Sequence, residues 1–287
     1  MIYIVTPVFN RKSFTKEYLN ALSKQTVSDF KVIIVDHGSE DGTSEMIKEN
    51  FLEVILLNDT NDLWWAEATN VGVRYALKQG ATYIMTLNDD TLPEENYIEK
   101  MILWSNKKPE ALLGAAAIDV ESGEFVYGGE YLNWKNAKIE SLLDTIPTNE
   151  RKGIHHVNFF PGRGLLIPRK VFEEIGLYDS KNFPQTVADN DFTIRAYNAG
   201  YEIFCNYDAI IKTYVNESGG IKLINEKSWK NFYEHLFGMR GAGNLKRFTI
   251  FVFKNAPKKY LFQFWVDGVA RRIGGYLIRW VKEIVKL

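Results

Sequence analysis

The first ninety residues alternate short apolar runs with stretches of helical periodicity, and this alternation constrains the fold more than any other feature. The pattern predicts strands at Ile2–Thr6, Phe30–Val35, Val54–Leu57 and Ala81–Leu87, and helices at Lys16–Lys24, Thr43–Asn50 and Ala66–Gln79. A Ser/Thr cap opens the second helix and Gly80 ends the third. Such repeated strand–helix units build an α/β fold with a mostly parallel sheet covered on both faces. Ligands on such sheets bind beyond the carboxyl ends of the strands. Residues 114–160 read as shorter, more antiparallel pieces with Gly-rich turns. Leu166–Ile167 reads as a strand, and Lys170–Ile175 and Asp191–Ala199 as helices. After Gly219-Gly220 the character changes to long amphipathic helices. This divides the chain into a domain over 1–220, with halves of about 1–110 and 111–220, and a helical region over 221–287.

A length of 287 residues with 46% hydrophobic and 25% charged residues suits a soluble globular protein with a large core. The single cysteine, Cys205, cannot form an internal disulfide and fits a reducing compartment. Its setting, Tyr201-Glu202-Ile203-Phe204-Cys205, reads as a strand and so as a buried structural thiol. The apolar start Ile2–Val5 is short and Arg11 and Lys12 follow it, which is not the pattern of a secretory leader. No apolar run reaches about 18 residues, so no spanning helix is expected. The net charge of −1 conceals an asymmetry: 21 Lys/Arg against 32 Asp/Glu through residue 221, then 14 against 4 from Lys222 onward. An acidic body with a basic tail is the expectation.

Three strand ends carry the polar residues. The first closes in Thr6-Pro7-Val8-Phe9-Asn10-Arg11, the second in Asp36 through Thr43, and the fourth in Leu87-Asn88-Asp89-Asp90-Thr91. In a parallel sheet all three lie on one edge. Gly, Ser and Asp also make ordinary turns and caps, which accounts for part of Asp36–Thr43. It does not account for three such ends together. A carboxylate after the second strand is placed to accept hydrogen bonds from a nucleoside. Buried carboxylates are costly unless paired or bound to metal, and an oxygen cluster suits a hard divalent cation that bridges to a diphosphate. Residues 6–11 hold no glycine, so the G-x-G-x-x-G turn of dinucleotide enzymes is missing, as is a Walker loop. The phosphates then need another partner, and a divalent ion on Asp90 is the natural one.

The combination resembles family 2 glycosyltransferases of the GT-A fold. The matching pieces are residues 6–11, Val35 through Thr43, Asn61 through Gly72, Leu87–Thr91, Phe160-Pro161-Gly162-Arg163-Gly164 through Pro168, Ala188 through Arg195, and Ala199-Gly200-Tyr201. They span roughly residues 1–215. Leu63 through Asn70 looks especially like rhamnosyltransferase-type members. The resemblance implies an inverting transferase with a nucleotide-sugar half followed by an acceptor half. It implies nucleotide-sugar contacts from Thr6, Pro7, Asn10, Asp36, Asn61, Trp65, Asn70, Asn88 and Asp89, and a Mg²⁺ or Mn²⁺ ion on Asp90. Gly162, Arg163 and Gly164 fall on the acceptor side. Asp189 is the implied general base, supported by Asp191 and Arg195. The donor is implied to be a UDP-, dTDP- or GDP-sugar and the acceptor a glycan or lipid-linked glycan, in surface polysaccharide or glycoconjugate synthesis.

The residues also admit plainer readings. Asp189 and Asp191 suit the first turn of a helix, and Arg195 can pair with Asp191 at i, i+4. Trp64 and Trp65 can stack on a ligand or simply pack. Asn88 stands where the family has the first Asp of D-x-D, Ala188 where it has Glu, and Tyr214-Val215-Asn216-Glu217-Ser218 lacks its late histidine. His155 and His156, on alternate faces of a strand, suit a surface or acceptor loop better than a metal site. A non-catalytic nucleotide-sugar-binding protein and a sugar-phosphate nucleotidyltransferase are the alternatives.

From Lys258 to Leu287 the periodicity predicts a helix kinked at Gly274-Gly275. Phe262, Val266, Val269, Ile273, Tyr276, Leu277, Trp280, Val281 and Ile284 share its apolar face, opposite Lys259, Arg271, Arg272, Arg279, Lys282 and Lys286. This pattern suits a helix packed on the domain, an oligomer contact, or an anionic membrane surface. A cytoplasmic protein, peripheral on the inner face of the plasma membrane, is expected. No nucleic-acid module is visible.

Overall fold

The computed structural model describes residues 1–59, 63–214 and 227–285. Its parallel half is built from β1 (Ile2–Val8), β2 (Phe30–Asp36), β3 (Ile55–Asn58) and β4 (Tyr83–Thr86). β1 lies between β2 and β4, with β3 outside β2, all running the same way. The connecting helices are α1 (Lys12–Leu22), α2 (Thr43–Asn50) and α3 (Trp65–Lys78). Ile4, Val5, Ile33, Ile34, Ile84 and Met85 are fully buried, as strands covered on both faces require.

The other half is mixed. β6 (Leu112–Asp119) runs parallel to β12 (Ile203–Thr213), but β11 (Leu165–Pro168) is inserted antiparallel between β4 and β6. β5 (Thr91–Pro93) and β10 (Ile154–Val157) pair with β12, and β7 (Phe125–Tyr127) pairs with β6. A separate hairpin joins β8 (Glu130–Asn133) to β9 (Lys138–Ser141). Helices α4 (Tyr97–Lys107), α5 (Arg169–Ile175) and α6 (Ala188–Asn198) complete the domain. Cys205 is buried within β12.

Two helices begin earlier than their periodicity suggests. α1 starts at Lys12 because Asp41 accepts the Lys12 N–H at 2.9 Å and satisfies a first-turn donor from outside the helix. α6 starts at Ala188, so Asp189 and Asp191 both lie in its first turn.

The C-terminal helices are α7 (Trp229–Phe237), α8 (Leu245–Asn255) and α9 (Leu261–Val285). The expected boundary near 219–228 falls largely outside the described residues. α9 runs as one helix through Gly274-Gly275, without the break those glycines suggest. Its packed stripe is also rotated from the expected one. Phe264 and Tyr276 are buried, whereas Phe262 is 73% and Val281 58% exposed. Gly268 sets this rotation: a Cβ there would lie 2.0 Å from the Phe248 ring, so only glycine lets α8 approach so closely. Arg272 consequently lies over Phe248, 3.5 Å from the ring centre, and not on a solvated face. No described helix is long and apolar enough to cross a membrane.

Asp191 fastens these helices to the sheet domain. Its carboxylate is fully buried and accepts hydrogen bonds from Arg195 Nε (2.9 Å), Lys254 Nζ (3.0 Å) and Asn255 Nδ2 (2.9 Å). Arg195 also holds the carbonyls of Ile175 and Leu177, and Lys254 reaches Asp179 at 2.7 Å. Removing one member of a buried ion pair strands the others. Asp191→Asn is therefore expected to lower the urea-unfolding free energy by about 3 kcal/mol, with α8 losing hydrogen-exchange protection first. Unchanged stability would show that Asp191 does not fasten the helices.

Candidate active site

The parallel register brings three strand ends to one edge. Val8 pairs with Asp36, and Asp36 with Asn58. Asp36 is 2% exposed and accepts hydrogen bonds from the Ser39 N–H (2.9 Å) and the Ser44 hydroxyl. Asn10 adopts a left-handed conformation (φ 53°); its N–H donates to Ser39 Oγ and its Oδ1 accepts from the Glu40 N–H. The loops after β1 and β2 are thereby laced into one surface. Pro7 lies opposite Val35 within β1. The Thr6 hydroxyl is buried at 2.7 Å from Tyr18 Oη, so its side chain turns toward α1 rather than the open edge.

The Asn88-Asp89-Asp90 segment divides its tasks. Asp89 turns inward, 4% exposed, and accepts from Thr15 Oγ1 at 3.0 Å. Arg11 lies between the two carboxylates, with Nε 3.1 Å from Asp89 and Nη2 3.4 Å from Asp90. Burial pushes the Asp89 pKa up to about 6, against the pull of Arg11. Both of these Arg11 nitrogens are buried and face the two carboxylates as ion pairs without an aligned hydrogen bond. Asp90 is the more open carboxylate. Among the described residues no group of three His, Cys, Asp or Glu side chains gathers around a common point. Mg²⁺, however, is commonly held by one or two carboxylates together with substrate phosphates, and Asp90 fits that use. Arg11 carries no role in the sequence-based expectations. A cation placed directly after β1, in a chain without a Gly-rich loop, was the available signal.

The opposite wall is α6 with the segment before β11. Asp189 Oδ2 accepts the Gly162 N–H at 3.0 Å and Oδ1 the Asn190 N–H at 2.9 Å. Burial raises the Asp189 pKa, while these N–H groups restrain the rise. A Cβ on Gly162 would lie 2.5 Å from the Trp65 ring. Trp65 packs edge-on to Tyr178 and donates its indole N–H to Asn88 Oδ1 at 3.0 Å. Asn88, Trp65, Gly162 and Asp189 thus form a continuous chain of contacts from the strand end to the carboxylate. Val187, a β-branched residue at φ 75°, precedes Asp189 by two positions, a strained arrangement of the kind that gathers at functional sites.

Other expected residues fall at different distances from this chain. Asn70 is 2% exposed, and its amide bonds both the N–H and C=O of Tyr178, so it ties α3 to that loop rather than facing a ligand. Arg163 lies over Tyr127 at 5.8 Å, and Gly164 donates its N–H to the Thr86 carbonyl at 2.8 Å. His155 Nε2 lies 3.1 Å from the Lys152 carbonyl, while His156 packs among Tyr131, Tyr197 and Phe204. Asn61 and the segment 215–218 lie outside the described residues.

The Asp89 shift has a pH consequence. A carboxyl whose pKa is higher in the folded state contributes stability that is present below its unfolded value of 3.8 and lost as pH rises through about 6. Wild-type stability is expected to decline across that window by roughly 3 kcal/mol from this group. Asp89→Asn should flatten that decline in denaturant titrations at pH 4 to 7; an unchanged slope would contradict the assignment.

Residues 3–176 match the family model described as glycosyl transferase family 2. A PGL/p-HBAD biosynthesis glycosyltransferase of Mycobacterium bovis is 26% identical over 225 residues, 77% of this chain and 78% of that one. An uncharacterized glycosyltransferase of Rickettsia bellii is 25% identical over 250 residues, and the match spans only 34% of that longer protein. The glycosyltransferase AglE of Haloferax volcanii is 24% identical over 224 residues, 73% of this chain and 65% of its own. Among solved structures, S. aureus TarS 1-349 in complex with UDP superposes with a TM-score of 0.60 at 15% identity, covering 95% of this chain and 72% of that one. That likeness establishes the GT-A-like α/β architecture.

Proposed function

We propose that this chain, which belongs to glycosyl transferase family 2, moves a sugar from a nucleoside-diphosphate donor to an acceptor hydroxyl with inversion at the anomeric carbon. The observation that carries the reading is the contact chain from Asn88 through Trp65 and Gly162 to Asp189. It holds one carboxylate across from a strand edge that bears Arg11 and Asp90. The TarS complexes with UDP and with UDP-GlcNAc support a nucleotide-sugar donor, with UDP, dTDP and GDP as the nucleotides to test. The rhamnosyltransferase-like segment at Leu63–Asn70 favours a hexose or deoxyhexose.

In this reading the laced loops of Asn10 and Asp36 seat the nucleoside. Arg11, held against Asp89 and Asp90, supplies positive charge beside the diphosphate. A divalent cation on Asp90, when bound, supplies further neutralisation of the leaving group. Asp189 takes the acceptor proton as the hydroxyl oxygen bonds to the anomeric carbon. The bond from that carbon to the diphosphate oxygen breaks, and its electron pair leaves with the nucleoside diphosphate. The raised pKa of Asp189 makes it a stronger base than an ordinary carboxylate. The acceptor is a glycan or lipid-linked glycan of a surface polysaccharide or glycoconjugate. The C-terminal helices expose Trp229, Tyr233, Phe237 and Phe253 in a strongly basic region, which supports peripheral contact with an anionic membrane from the cytoplasmic side.

Thermal-shift measurements with UDP-, dTDP- and GDP-sugars should show stabilisation by one of them, increased by Mn²⁺. Asp90→Ala should remove the Mn²⁺ increment. Asp189→Asn should keep donor binding and lower turnover by about 10²- to 10⁴-fold. No stabilisation by any donor would count against the proposal, and unchanged turnover in Asp189→Asn would remove the base.

A further inference from the structure

Two cavities among the C-terminal helices share a wall of two arginines. The first, about 310 Å³, lies between the β8–β9 hairpin, the start of α6, and helices α8 and α9. Its lining is mostly apolar, with Leu132, Ile139, Phe159, Phe251 and Phe264. Val187 and Asn190, which flank Asp189, also line it. The second, about 190 Å³, lies between α7 and α9 and gathers Lys227, His235, Arg271, Arg272 and Arg279. Arg271 and Arg272 belong to both walls. No Asp or Glu among the described residues lines either cavity.

Arg271 and Arg279 face solvent, whereas Arg272 and His235 are drawn in among them. Arg272 lies against the Phe248 ring, donates through Nη1 to the Gly268 carbonyl, and buries an Nε that has no hydrogen-bond partner among the described residues. Burial, then the neighbouring Arg271, push its pKa down to about 10. Burial, then Arg272, Arg279 and Lys227, likewise hold the His235 pKa below its ordinary value. His235 Nδ1 is buried without a hydrogen-bond partner. Beneath the two exposed arginines, Arg272 Nε and His235 Nδ1 are thus buried polar nitrogens without hydrogen-bond partners. An anion would complete this site, because guanidinium groups pair with phosphate through parallel hydrogen bonds.

We propose that these two adjoining cavities bind a phosphorylated amphiphile, with its hydrocarbon in the apolar chamber and its phosphate or diphosphate among Arg271, Arg272 and Arg279. Two sources share that chemistry: an isoprenoid phosphate and an anionic bilayer phospholipid. Binding itself stands apart from the transferase reading. Only the amphiphile's role as acceptor rests on that reading, through the Val187 and Asn190 wall beside Asp189.

Calorimetric titration of the full chain, with UDP present to occupy the donor cleft, tests the site. Farnesyl diphosphate should bind at least about tenfold more tightly than pyrophosphate or farnesol. The Arg272→Gln/Arg279→Gln double variant should lose at least that factor. Ile139→Asp, at a position 56% exposed and so tolerant of substitution, should weaken farnesyl diphosphate and leave pyrophosphate unchanged. Displacement by phosphatidylglycerol vesicles would identify a bilayer phospholipid, and undisturbed binding an isoprenoid phosphate; either supports the amphiphile site. Equal affinities for farnesyl diphosphate and pyrophosphate, or full affinity in either folded variant, would overturn it.

Discussion

The arrangement depends most on one buried carboxylate. Asp191 is fully enclosed, and its oxygens are divided among Arg195 of its own helix and Lys254 and Asn255 of α8. Through Arg195 it also fixes the carbonyls of Ile175 and Leu177 at the end of α5. An unpaired charge in this position would be strongly destabilising, so the three elements must meet there together. That requirement fixes the first turn of α6, and with it Asp189, two residues earlier. It also places the basic C-terminal helices against α6.

The site has two walls with different physical characters. The strand edge is polar and internally laced: Asp36, Asn10, Ser39 and Ser44 satisfy one another across two loops. The wall at α6 is set by packing, where a missing side chain at Gly162 lets the Trp65 indole reach over to Asn88. Trp65 serves both as core and as a bridge between the walls. Val187 extends the second wall into the apolar cavity, joining the proposed base to the C-terminal chambers.

Much of this was legible in the sequence because it is local. Alternating strands and helices placed β1 to β4 within a few residues, and a parallel register then forced the three polar ends to one edge. What escaped is non-local. β11 enters antiparallel between β4 and β6, a pairing over long sequence separation that no local period reports. Arg11 acquires its importance only when β4 brings Asp89 and Asp90 beside it. Asn70 has the polarity of a ligand contact but spends its amide on Tyr178, more than one hundred residues away. The rotation of α9 follows Gly268 against Phe248, so a small residue, invisible to a count of apolar side chains, decides which face is buried.

The central claim is a single displacement with Asp189 as base. The anomeric configuration of the first product tests it most directly. With whichever nucleoside-diphosphate sugar stabilises the protein, proton NMR of the newly formed glycoside should show the configuration opposite to that of the donor. Retention of the donor's configuration would contradict the account.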